Sequence, residues 1–137
     1  MNRRHLRLLL TTLLLGFAPL AQAADCYYYW VHQCLNVIDA SQRKIEQFVL
    51  ISPAVNYLNS GNKQCTDAVS ERQQQLQEAL IAPFNKAASK IEACDTPLTD
   101  IPARVYDNPQ KATWHYSRSR RESPGKTIVP LADLPAL

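Results

Sequence analysis

Glycine is scarce in this chain, with three residues in 137, and so are histidine and methionine, at three and one. So little glycine leaves no Gly-rich loop to cradle a phosphate and no Gly-x-Ser-x-Gly elbow for a nucleophilic serine. A His-Glu-x-x-His pair is absent as well, and only His32 and His115 lie beyond residue 23. The four cysteines stand 8, 31 and 29 residues apart, without the close Cys-x-x-Cys pairs of a zinc site, a redox motif or a haem attachment. The pattern therefore offers no catalytic, metal or cofactor signature.

Long apolar runs are missing too. The longest, residues 8–15, is followed by Gly16 and Pro19 and falls short of the roughly 20 residues that cross a bilayer. It follows Arg3, Arg4 and Arg7 and precedes Ala21-Gln22-Ala23, a small-x-small cleavage site. Residues 1–23 thus read as a signal peptide, cleaved before Ala24, and the mature protein as periplasmic or secreted. Asp25 directly before Cys26 does not suit lipid attachment, so no stable membrane anchor is expected after cleavage.

Net charge disappears with that leader. Three of the fifteen lysines and arginines lie in residues 1–23 and none of the twelve acidic residues does, so residues 24–137 carry twelve of each. A neutral mature chain gives no reason to expect nucleic acid as a partner.

What remains is an even set of cysteines, Cys26, Cys34, Cys65 and Cys94, which in an exported chain predicts two disulfides. Residues 24–94 hold all four and only Pro53 and Pro83, whereas residues 95–137 hold none and six prolines. Val31, Cys34, Ile38, Ile45 and Phe48 recur at helical steps, and so do Cys65, Val69, Leu76, Leu80, Phe84, Ala87, Ile91 and Cys94. These stripes predict an all-α fold for residues 24–94: a small disulfide-stapled helical bundle, or a bent helical hairpin, with reversals at Pro53 and Pro83. Helical spacing would hold Cys26 and Cys34 about 12 Å apart, so they should not pair. Three connectivities are formally open, and the bundle favours Cys34 with Cys65 and Cys26 with Cys94. Aligning Cys34 with Cys65 also superposes the two stripes, as an internal duplication would.

Residues 95–137 read as a long, Pro-rich extended tail, with a short strand near residues 112–117 and a basic run of Arg118, Arg120, Arg121 and Lys126 against Glu122. Its end is apolar, at Ile128, Val129, Leu131, Leu134 and Leu137, which predicts docking on the bundle or on a partner.

Tyr27-Tyr28-Tyr29-Trp30 is the most unusual local feature. Four successive helical residues point around most of the helix, so one core cannot bury them all. Tyr and Trp are common interface anchors. The candidate partner-binding set is therefore Tyr27, Tyr28, Tyr29 and Trp30, with Trp114 and Tyr116 and with Ile128, Val129 and Leu131. Asp39 and Glu46, seven residues apart, would share a helix face as an acid and base require, but solvated carboxylates explain them equally; His32 reads as a surface histidine.

The functional expectation is a non-catalytic, protein-binding factor of the cell envelope: an accessory subunit, a chaperone-like factor, or an inhibitor or immunity protein. Its partner would be another envelope or secreted protein, and its oligomeric state is left open. The rival is a small periplasmic enzyme or ligand-binding protein with a cleft between bundle and tail.

Overall fold

The computed structural model describes residues 24–137, and the leader reading falls outside them. The fold is mixed α/β, not all-α. Its centre is a 15-residue strand, β1 (Asp25–Asp39), which turns back into β2 (Lys44–Ile51) and then β3 (Asn56–Asn59). Helices α1 (Cys65–Gln75) and α2 (Gln77–Ala88) and a 3-10 turn (Glu92–Cys94) follow. The chain then gives β4 (Ala103–Tyr106), α3 (Pro109–Ser119) and β5 (Lys126–Pro130).

The five strands form one curled sheet around β1. Its inner half pairs with two neighbours, Tyr27 standing opposite Tyr57 of β3 on one side and Tyr106 of β4 on the other. The outer half pairs with β2, antiparallel, from Val31 with Ile51 out to Val37 with Ile45. Residues 52–55 lie opposite only Tyr29 and Trp30, so two extra residues bulge out between β2 and β3. Pro53 sits in that bulge, where its missing N–H costs no ladder bond. Outside β2 runs β5, parallel to it, with Val49 opposite Ile128. Gly125 leads into β5 at φ 78°, where an added Cβ would come 2.9 Å from the Ile45 carbonyl.

The helical expectation for residues 27–51 fails because the inner part of this sheet, up to Cys34, is covered on both faces, and because the outer part folds back as a β-hairpin. On one side α1 and α2 set Val69, Leu80, Phe84 and Ala88 against Cys26, Tyr28, Trp30, Leu50 and Leu58. On the other, Tyr116 of α3 packs against Tyr29, Val49 and Ile51. Strands buried on both faces are apolar at nearly every position, so a helical stripe can be drawn through residues that actually alternate sides.

Residues 65–94 are helical in the main, but the break falls at Leu76 and Pro83 lies inside α2. The apparent duplication has no structural counterpart, since its first copy is strand and its second is helix. Nor is the C-terminal part an extended tail. It supplies β4, β5 and α3, and the expected strand at residues 112–117 is the body of α3. Asn108 caps that helix, its Oδ1 accepting from the Lys111 N–H at 2.9 Å, with Pro109 at the first turn.

Both disulfides fasten β1 to the helical layer. Cys26 joins Cys65 at the start of α1, and Cys34 joins Cys94 in the 3-10 turn, with Cα separations of 5.4 and 5.3 Å. All four cysteines are paired and no Cys26–Cys34 bridge forms, but the favoured pairing is replaced by its crossed alternative. Two such bridges belong to an oxidising, exported compartment. No helix among the described residues is long and apolar enough to cross a membrane.

Candidate functional site

The aromatic run is where the strand geometry matters most. Alternation sends Tyr28 and Trp30 into the α1–α2 core and Tyr29 into the α3 core. Trp30 donates through Nε1 to Gln73 Oε1 at 3.3 Å, and the Gln73 amide donates onward to the Ile101 carbonyl. The Tyr28 hydroxyl accepts from the Leu137 backbone N–H at 3.1 Å, so the chain's apolar end docks on this run. Burial raises the Tyr28 phenol above its ordinary pKa. Tyr29 meets Tyr116 edge-on at 5.3 Å, and the Tyr116 hydroxyl donates to the Ser52 carbonyl at 2.8 Å.

Most of the sequence-derived partner set therefore builds the interior. Tyr28, Tyr29, Trp30, Tyr116 and Leu131 are buried, and Ile128 and Val129 are half-buried in β5. Tyr27 is half-buried beside the exposed ring of Tyr57. Only Trp114 stands well out, at 57% exposure. It rests edge-on against His115, which stacks on Tyr106, and the Arg118 guanidinium lies 5.4 Å from its ring centre. Arg120 reaches Tyr116 in the same way. Two cations of the basic run are thus occupied by neighbouring rings. Tyr106 itself is pushed up to about 12, first by burial and then by its hydrogen bond with Tyr29.

Two shallow grooves, of 490 and 530 Å³, meet at Thr66 and Val105 along the seam between α1 and β4. Gln73, Gln74, Gln77 and Asp100 line one and Tyr106, Asp107 and Lys111 the other. The buried amide of Gln73 is already satisfied, so among the described residues the seam presents no buried unpaired polar group to a ligand. His32, Asp39 and Glu46 lie elsewhere, on the β1–β2 hairpin. The Asp39 carboxylate accepts from the Ser41 N–H and hydroxyl and from the Gln42 N–H, which fixes the turn and holds its pKa below the usual value. Burial lowers the pKa of His32. Among the described residues no three metal-ligating side chains come together.

The feature that sequence reasoning missed is the outer end of that hairpin. Beyond Cys34 no helix among the described residues covers it, and Leu35, Val37, Ile38 and Ile45 are 61, 60, 45 and 48% exposed. Register and alternation put Leu35, Val37 and Ile45 on the same face that is buried further in at Val49 and Ile51. Its edge is open as well. β4 covers β1 only from Tyr27 to Trp30, and both backbone groups of Trp30 turn toward Ser52 on the β2 side. Alternation then points the N–H and C=O of Val31, Gln33, Leu35 and Val37 out of the sheet. Residues 31–38 contain no Lys, Arg, Asp, Glu or Pro. The clue was present in the sequence: Val37-Ile38 and Ile45 bracket the polar stretch 39–44, as strands bracket a hairpin turn.

The chain matches no protein-family model, no curated protein and no solved structure. Its surface chemistry alone carries the functional reading.

Proposed function

We propose that this is an exported, non-catalytic protein-binding factor of the cell envelope, periplasmic once the leader 1–23 is removed, that engages its partner through the outer β1–β2 hairpin. The observation carrying this reading is the bare arm itself: three aliphatic side chains on one face beside a row of strand groups with no partner among the described residues. Sheet edges left long, uncharged and free of proline invite strand addition, and proteins normally blunt them. This one is not blunted. A partner that adds a strand there gains backbone hydrogen bonds, and covering the remaining half of each exposed aliphatic chain contributes about 1 kcal/mol apiece before ordering costs.

The test is a photo-crosslinking residue placed at Leu35 of the mature protein in its native envelope. The expected result is a discrete protein adduct that is lost in the Leu35→Lys/Val37→Lys variant, with both disulfides still formed. An arm that crosslinks to nothing, or an adduct indifferent to the two lysines, refutes the reading. The compartment is checked by intact mass, with the purified protein expected to begin at Ala24 and to show no free thiol.

A further inference from the structure

We infer that the strand completing this arm comes from a second copy of the same chain, paired antiparallel with β1 across a two-fold axis near Asn36. The inference rests on the binding reading above and names the partner it leaves open.

The edges of this sheet are not alike. β4 is four residues long, is preceded by Pro102 and carries Arg104; β5 is five residues long, is bracketed by Pro124 and Pro130 and starts at Lys126; β3 has only four residues. Short strands, prolines and cations are the devices that prevent edge pairing. The outer edge of β1 has none of them through residue 38, although it belongs to the longest strand among the described residues.

Self-pairing suits this edge chemically. An uncharged strand can be laid antiparallel on itself without setting like charges opposite one another. With the axis at Asn36, Leu35 of one copy stands opposite Val37 of the other. Both residues point their backbone groups outward, so they form the hydrogen-bonded pairs that such a ladder needs. The aliphatic faces of the two arms then join across the axis. The same operation places the hairpin ends, which carry Arg43 and Lys44 beside Asp39 and Glu46, at opposite ends of the joined strands. Each is carried toward the stretch 92–100 of the other copy, which holds Glu92, Asp95 and Asp100 and no lysine or arginine. That stretch is held at β1 by the Cys34–Cys94 bridge and leads into β4, where Ala103 stands opposite Trp30. Because the Asp39 carboxylate is already held within its own turn, Arg43 and Lys44 of each copy are the charges turned toward that acidic stretch.

The experiment uses the mature, disulfide-intact protein. Sedimentation velocity from micromolar to near-millimolar concentration should show a monomer–dimer equilibrium. Leu35→Lys/Val37→Lys should raise the dimer dissociation constant at least tenfold, and Glu78→Gln, exposed on α2 away from the arm, should leave it unchanged. Amide exchange supplies a readout that general destabilisation would not mimic. In the monomer the amides of His32 and Asn36, bonded to β2, are protected while those of Gln33, Leu35 and Val37 exchange freely; dimerisation should protect Leu35 and Val37 selectively. A protein that stays monomeric throughout, or a dimer that ignores the two lysines and leaves those amides free, overturns the inference. If the monomer's Leu35 crosslinker still captures a different envelope protein, the arm reading survives and only the choice of partner falls. If it captures nothing, both fall.

Discussion

Replacing Cys34 and Cys94 together by alanine tests the mechanical account of this fold most directly. Both residues are nearly buried, and the paired substitution removes a covalent link while changing little volume. In the chain-entropy account the link acts on the unfolded state, and closing a 60-residue loop contributes about 4 kcal/mol. The two bridges interleave, however, because Cys65 lies inside the loop closed by Cys34 and Cys94. With Cys26 already tied to Cys65, the path from Cys34 to Cys94 shortens to roughly 37 residues, and since the entropy depends only on the logarithm of loop length the contribution falls by only about 0.4 kcal/mol. The double variant should therefore lose just under 4 kcal/mol. Against a total near 6 to 17 kcal/mol for a folded chain of this size, that is about a quarter to two thirds of its stability, and a drop in Tm of about 15 °C. Urea unfolding followed by far-ultraviolet circular dichroism measures it, and the m-value should rise because the unfolded chain opens further. A loss under about 1 kcal/mol with an unchanged m-value would refute the entropic reasoning.

Two further outcomes follow from the packing. Leu131→Ala should cost about 2 to 4 kcal/mol, because Leu131 is 6% exposed within the main core; truncation after Pro130 should cost at least as much, since it also removes the Leu137 bond to Tyr28, and equal thermal melts for the truncated and full proteins would show that this end does not dock. Tyr106 holds its proton more tightly when folded, so its contribution is intact below pH 10 and is lost as pH rises through about 12; Tyr106→Phe should flatten that alkaline loss in urea midpoints, and an unchanged slope would assign it to other groups.

How much of this was legible depended on what each element faces. The second half of the helical pattern, from Cys65 to Ala88, was readable because α1 and α2 each bury one side and leave the other to water, so the 3.6 period survives at Val69, Leu80 and Phe84. β1 was not, because its two faces are buried by different layers. There the available cue was composition: Tyr27-Tyr28-Tyr29-Trp30-Val31 is a run of residues that favour strands, and in a strand four successive aromatics have two cores to enter. The cysteine count showed that no thiol would be free, and the absence of a Cys26–Cys34 bridge held for a different reason, since eight residues of strand span about 26 Å. The pairing itself needed the sheet. In the last third the prolines suggested an extended chain, yet Asn108-Pro109 is a helix start, and Ala112 and Tyr116, four apart, are the residues α3 buries. The arm's hairpin was cued by the polar stretch 39–44, but its bareness was not legible: Leu35 and Val37 resemble core residues until the neighbouring strands are placed and leave their edge empty.

The position of the staples bears on how the proposed binding arm would work. Cys26 and Cys34 anchor β1 to the helical layer at two points, and everything from Tyr28 to Trp30 between them is core. Past Cys34 the strand has, among the described residues, no bridge, no helix above it and no neighbour except β2, so its stiffness depends on one hairpin ladder and on the Asp39 turn. Such a segment lies at the low-stability end of the molecule while its base is fixed covalently. A binding arm gains from that division: the base defines the direction in which the edge is presented, and the free outer residues adjust their twist to an added strand. Extending the rigid part outward should therefore stiffen the arm without aiding recognition, whereas cutting the Cys34–Cys94 bridge should loosen the base and weaken binding even where the fold survives.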